Sequence, residues 1–467
     1  MKIIFLLFIV ILICISFFSS KWLRSDSDLL IPREGIPFWM VGFTMAAGQF
    51  GSSSLIGGVQ LASGYPIGEG FYAGAYALIA GALSCFVNIF IGPMIKLRAG
   101  GAVTPSDYLY RRYGRFALIQ GIHSTVYILS MTCVLVSQFI GFASMASAIG
   151  FRYGAGILLC AVTVCLLAFG SGLLGVTVTD TIQYAFIVVL LPVTAYFSLT
   201  KLGQAGITTE QLFSESFFPA KAQFDKFHYI LWPYIFNNMF NYEYFMRYQS
   251  CRSVKEARKA CAVAGALLLV IALPVALLGA VANYCYNGCD TGTVFQKILF
   301  HDLPPVCRYA LIIVVLMAIL TTADSFLASV SAIASKDVYG NLIHRGKSID
   351  ELPHTRRIAR GVMVLVCAAA SVLALEFREI LTIQFIFTPL TSGVFWAPVI
   401  IGIFWKGASR RGMICAVLIA VTAAVLHMTG VITLFDRLVG VIAVSVVSLV
   451  FFSLLLPDRE NVRQRGS

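Results

Sequence analysis

Apolar runs long enough to cross a bilayer follow one another along almost the whole chain, and they leave no stretch over for a separate soluble domain. A transmembrane helix takes about 20 mostly apolar residues. The sequence supplies about 13 such segments, near 2–18, 36–62, 70–95, 117–149, 154–171, 173–200, 228–247, 260–285, 305–335, 357–376, 380–405, 411–431 and 434–456. The longest polar stretches between them are 201–227, 286–304 and 336–356. Composition agrees, with 59% of residues hydrophobic, 12% charged and a mean hydropathy of +0.86. A water-soluble fold could not cover that apolar surface with so few charges. The expected class is an all-α polytopic membrane protein solvated by lipid. A disordered chain, a secreted disulfide scaffold and an ordinary cytosolic enzyme are excluded.

The basic excess, 34 Lys and Arg against 22 Asp and Glu, follows from topology and not from nucleic-acid binding. With the N-terminus outside and the C-terminus inside, 25 of the 34 basic residues fall on the cytoplasmic face. These include Lys21, Arg24 and Arg33, the 96–115 group, the Arg247–Lys259 group, the 336–360 group, Lys406, Arg410 and Arg411, and Arg459, Arg463 and Arg465. The first run is read as a retained helix, since no small-residue cleavage site follows it. The 12 Cys show no CxxC pairing, although a disulfide among Cys285, Cys289 and Cys307 stays open.

Two apolar segments look broken. The run 36–64 holds six Gly, four Ser and Gln49, and no charge. Such a composition suits a discontinuous helix whose unwound backbone lines a cavity. The run 380–404 carries Pro389, Gly393 and Pro398, which kink or break a helix.

Several polar residues sit where lipid makes them costly. Asp180 lies in LLGVTVTDTIQ, either as a functional carboxylate or as an N-terminal helix cap. Asp324 lies among Thr321, Thr322 and Ser325, with Thr321 and Ser325 on its own helical face, and these hydroxyls could offer oxygens to a hard cation or bond their own backbone. Glu243 follows Asn237, Asn238 and Asn241, and Arg247 stands four residues on as an ion-pair partner or as a marker of the cytoplasmic end. His123 and His427 are isolated core or interface residues. No metalloprotease, Walker A or nucleophile-elbow motif is present, so no catalytic residue is assigned and the chain is not read as an enzyme.

In order, these stretches resemble the sodium:solute symporter family, from about residue 25 to about 410. The resemblance rests on SDSDLLIPREGIPFWMVGFTMAA, GGAVTPSDYLYRRYG, LLGVTVTDTIQ, MRYQSCRSVKEARKA, LTTADSFLASVSAIASKDVYG and SGVFWAPVIIGIFWKGASRRG. It implies a leucine-transporter-type fold of two inverted five-helix repeats, each with a broken first helix. The repeats would span 36–200 and 228–405. A leading helix and link (1–35), an external loop (201–227) and two accessory helices with a short tail (406–467) would complete the chain.

The resemblance also implies Na+ as coupling ion. The ligands would be backbone carbonyls of Ala46, Gln49 and Ala318 and hydroxyls of Thr321 and Thr322. Asp180 would be a station on the ion's way to the cytoplasm, and Asp324 lies on the same pathway. Gln49, Ser52, Ser53, Gln138, Asn237, Asn238 and Asn241 are candidates for the solute pocket. Two departures stand out: Met246 replaces a usual Gln, and AAGQFGSSS lacks the carboxylate that some relatives carry there, which puts a second cation site in doubt.

The expected function is Na+-coupled symport of a small polar solute (an amino acid, carboxylate, sugar or vitamin-like molecule) across a bacterial inner membrane. A proton-coupled carrier using Asp180 or Asp324, and a transporter-like sensor, are the alternatives. The sequence is silent on oligomeric state.

Overall fold

Burial in lipid leaves a chain no donors or acceptors but its own, so every apolar segment must satisfy its backbone internally as helix. The computed structural model, described for residues 2–19, 30, 35–208, 221–377, 389–432 and 437–458, is built this way, with no strand among these residues. The helices are α1 (Lys2–Ser19), α2 (Phe38–Gln49), α3 (Gly58–Ser63), α4 (Gly70–Arg98), α5 (Pro105–Tyr113), α6 (Ala117–Ala148), α7 (Tyr153–Gln204) and α8 (Lys221–Asn238). They continue as α9 (Tyr242–Ser250), α10 (Val254–Tyr286), α11 (Thr291–Lys297), α12 (Pro305–Ala332), α13 (Thr355–Glu376), α14 (Pro389–Phe404), α15 (Arg410–Met428) and α16 (Arg437–Leu455). Eight of the described helices are long and apolar enough to cross a membrane.

Local chemistry sets the ends. Thr104 caps α5, its Oγ1 accepting from Asp107 N at 2.9 Å, with Pro105 in the first turn. Asn241 caps α9 in the same way, accepting from Tyr244 N at 2.8 Å. The segments 154–171 and 173–200 are the two halves of α7, divided at Gly172, whose φ of 54° a side chain would oppose.

Close packing follows from small residues. A Cβ on Gly74 of α4 would stand 3.0 Å from Gly279 Cα of α10, so the two backbones touch there. One face of α1 (Phe5, Ile9, Leu12, Ser16) is buried, and Ser16 Oγ donates to Leu167 O of α7 at 2.7 Å.

Three expectations need correction. The 36–64 run is broken as read, but α14 is not broken where described. From Pro389 on it runs through wide π turns at Pro389–Gly393 and Ala397–Ile401, the second of which takes in Pro398 without interrupting the helix; 380–388 lie outside the described residues. Helix also takes in both ends of the 201–227 stretch, up to Gln204 and from Lys221, while 209–220 lie outside the described residues. Arg247 and Lys336 do not mark an exposed face, because both are buried and paired with carboxylates. Lys21, Arg24, Arg33, Arg459, Arg463 and Arg465 lie outside the described residues. Cys285, Cys289 and Cys307 are free thiols.

Candidate functional site

The break in the first long apolar run falls between Gln49 and Ser52. There α2 ends, Phe50 leaves helical geometry (φ −108°, ψ 73°), and a π turn Ser53–Gly57 leads into α3. Two hydrogen bonds fasten the new start. Ser52 N donates to Gln138 Oε1 at 2.9 Å, and Ser52 Oγ donates to Ser137 O at 3.0 Å. Ser54 Oγ takes up the Gln49 carbonyl at 2.6 Å. A second break lies between α8 and α9, at Met239 to Asn241.

The two breaks face each other across a cavity of about 80 Å3. Gly48, Gln49, Gly51 and Ser53 line it from the first break, and Pro233, Tyr234, Asn237, Asn238 and Asn241 from the second. Tyr127, Ser130, Met131 and Val134 of α6, Thr322 and Phe326 of α12 and Thr391 of α14 complete the described wall. No Asp, Glu, Lys, Arg or His is among these residues. The amides hold one another. Gln49 Nε2 and Asn241 Nδ2 both donate to Asn238 Oδ1, at 3.4 and 3.2 Å, and Asn238 Nδ2 donates to Ser84 Oγ at 2.9 Å. Ser392 donates to Asn237 Oδ1.

Five of the seven pocket candidates therefore line the cavity: Gln49, Ser53, Asn237, Asn238 and Asn241. Ser52 and Gln138 do not. They satisfy each other and splice the break onto α6. Sequence reasoning missed Tyr127, Ser130, Met131 and Val134, although their spacing of three, four and seven marks one face of a helix. Nothing local in the sequence sets Tyr234 or Thr391 apart.

Of the expected ion ligands, Thr322 of α12 meets the end of α2. Thr322 Oγ1 stands 3.3 Å from Ala47 O across the interface and 3.0 Å from Ala318 O in its own helix. Thr321 Oγ1 stands 3.2 Å from Ala318 O. The carbonyl in direct contact is that of Ala47, one residue from Ala46 and two from Gln49. Such a meeting of hydroxyls and carbonyls suits a hard cation of low charge.

The carboxylates lie close by. Asp180 is mid-helix in α7, fully buried, and no helix cap. It accepts from Thr44 Oγ1 and, at 3.1 Å, from Ser325 Oγ. Arg247 of α9 donates to Thr44 Oγ1 at 2.9 Å and to Ser325 Oγ at 2.8 Å, with its NH2 3.8 Å from Asp180 and 3.5 Å from Glu243. Asp324 is buried beside the same group, near Asp180, Arg247 and Glu243. A third network joins Tyr242 of α9 to Asp337 at 2.6 Å and to His123 Nδ1 at 3.1 Å, and Thr104 Oγ1 to Asp337 at 2.5 Å.

Similarity to known proteins points the same way. The high-affinity proline transporter PutP of Bacillus subtilis is 24% identical over 95% of this chain and 96% of its own length. The sodium/glucose cotransporter of Vibrio parahaemolyticus is 23% identical over 86% of this chain and 79% of its own length. The fold is that of a Na+-coupled sialic acid symporter solved in a substrate-bound outward-open state, at a TM-score of 0.76 and 16% identity over 96% of both chains. MhsT, solved with L-phenylalanine, matches at 0.52 and 15% identity over 89% of this chain and 98% of its own. The expected leucine-transporter-type fold is the one shared with these structures, and the chain is a multi-pass integral membrane protein. The family model described as Sodium:solute symporter family matches residues 33–420, so the chain belongs to the sodium:solute symporter family.

Proposed function

We propose that this chain couples Na+ to the movement of a small polar solute by alternating access. Na+ sits where α2 ends against α12, on the carbonyls of Ala46, Gln49 and Ala318 and the hydroxyls of Thr321 and Thr322. The solute sits beside it, among Gln49, Ser53, Asn237, Asn238 and Asn241, with Tyr127 and Tyr234 on the walls. The observation that carries this reading is the double position of Thr322. Its hydroxyl reaches the last turn of α2, and the same residue lines the cavity. An ion that orders this contact therefore completes one wall of the pocket. Coupling is then a population shift, since the ion favours the conformation in which the wall is formed. The repeat boundaries 36–200 and 228–405 belong to the same reading. The two breaks support it, because each falls near the start of one of those stretches.

The test is thermal unfolding of the purified protein in NaCl against KCl and choline chloride at matched ionic strength. A ligand held only by the folded state raises stability by about 2.7 kcal/mol at a hundred times its Kd. A Na+-specific rise should vanish in the variant carrying Thr321→Ala and Thr322→Ala. Equal stability in all three salts would sink the assignment. The scan would then be repeated against pH, with Asp180 and Asp324 as the groups for a proton-coupled carrier.

A further inference from the structure

We propose that the solute leaves the cavity along α6, past Tyr127, His123 and Gln120, and that Tyr242, pinned to Asp337, is the gate on this route. This rests on the carrier reading above and deepens it. The residues of α6 that line the cavity, Tyr127, Ser130, Met131 and Val134, share one face of the helix. That face continues beyond the cavity through His123 and Gln120, at steps of four and three. Both residues are polar and buried. Among the described residues, Tyr127 Oη, His123 Nε2 and both amide atoms of Gln120 find no hydrogen-bond partner. Buried polar atoms are ordinarily paired. A row of unpaired ones leading out of a cavity marks a route that is shut here, because passing water and solute would supply the partners. The row ends at the basic face, beside the loops that carry Arg111, Arg112, Arg115 and Arg345. There Arg115 Nη2 donates to Leu342 O at 3.2 Å and Arg112 Nη2 to Lys406 O at 3.0 Å. The excess of Lys and Arg reads this face as cytoplasmic.

Just past the cavity the route is filled by rings. Tyr242 packs edge-on to Tyr127 with 4.7 Å between centroids. His123 lies 4.7 Å from Tyr127 and 5.5 Å from Tyr242, and Phe395 closes on His123 at 4.4 Å. All four residues are no more than 1% exposed. One buried carboxylate holds the stack. Asp337 accepts from Tyr242 Oη at 2.6 Å and from Thr104 Oγ1 at 2.5 Å, so it ties α9 and the cap of α5 to the stretch that continues α12. A phenol has one proton, and Tyr242 gives it to Asp337. The 3.1 Å contact with His123 is therefore donated by Nδ1–H, which leaves Nε2 as a bare acceptor on the route. Tyr242 is also the member of the stack that can move. It is the first residue of α9, directly after the non-helical Met239–Asn241, and such an interruption absorbs a change of φ and ψ without unwinding a helix. Swinging its ring off Asp337 joins the cavity to the row of unpaired atoms.

The experiment places a cysteine in the cavity, Ser130→Cys, and measures how fast a membrane-impermeant methanethiosulfonate modifies it. The full-length protein is held in sealed vesicles of either orientation, and the modified residue is identified by peptide mass. Tyr242→Phe and Asp337→Asn should each raise labelling at position 130 about tenfold from the basic face and leave it unchanged from the other. Thr104→Val removes the other hydrogen bond to Asp337 and should act in the same way, which keeps the test decisive if the first two variants do not fold. Gln120→Trp, added to the most reactive of these, should block the route and return labelling to the parent rate. Unchanged labelling in the gate variants overturns the gate, and so does an equal rise from both faces. A rise that Gln120→Trp does not reverse overturns the route along α6. The measurement needs neither Na+ nor a known solute, so a failed Na+ assignment in the thermal scan leaves its result intact.

Discussion

Gly48→Ala sets two effects of opposite sign against each other. Gly48 lies inside α2, where alanine is intrinsically the better helix former by about 1 kcal/mol. On propensity alone the substitution stabilises. The new Cβ, however, would stand 1.8 Å from Glu243 Oε1 and 2.7 Å from Cδ. Glu243 must leave, and with it goes the 3.5 Å ion pair to Arg247. Breaking a buried pair costs about 3–5 kcal/mol. The clash therefore wins, and the net loss is about 2–4 kcal/mol. The assay is a double-mutant cycle on unfolding of the detergent-purified protein, with Gly48→Ala measured in the wild type and in Glu243→Ala. In the second background the obstacle is gone and only propensity remains, so the effect should change sign. An interaction energy of about 3–5 kcal/mol is expected. The same loss in both backgrounds would refute the placement of Glu243 on α2.

Thr322→Ser keeps the hydroxyl and should keep the Na+-specific thermal rise, whereas Thr322→Val should lose it, as the same salt comparison will show. Tyr242→Phe removes the 2.6 Å hydrogen bond to buried Asp337 and should cost about 1–3 kcal/mol in unfolding experiments, the range for stripping a buried polar group of a partner. Cys251, outside the spanning helices, has its thiol pushed up to about 12 by burial. It is neutral at every working pH, so a cysteine-reactive iodoacetamide should label it about a thousandfold more slowly than an ordinary thiol at pH 8; labelling at an ordinary rate would show the site to be open.

The first break was legible because its cause is local. Gly and Ser crowd the 36–64 run, and residues that favour neither helix nor burial betray an unwound stretch before any packing is known. The second break was harder to see. Met239, Phe240 and Asn241 are ordinary in composition, and only Asn241 as a cap hints that one helix stops and another starts there. Proline misled at 398, because a π turn and neighbouring helices accommodate it without a gap. Gln138 and Ser52 looked like pocket residues by type. They turned out to be each other's partners, since two polar groups buried side by side satisfy one another first.

The sequence by itself determined that the chain lives in a membrane, which segments are helical, where the first helix is interrupted and which carboxylates are out of place. Each of these follows from a residue's own transfer cost or from its neighbours along the chain. Only the tertiary structure decided what those carboxylates do to one another. Asp180, Glu243, Arg247 and Asp324 come from three helices, α7, α9 and α12, and Asp180 and Glu243 stand 63 residues apart along the chain. Gly48 is a small residue in the sequence, and in the fold it is the space that Glu243 fills. Pairing across space depends on which faces meet, and the chain's one-dimensional pattern does not carry that.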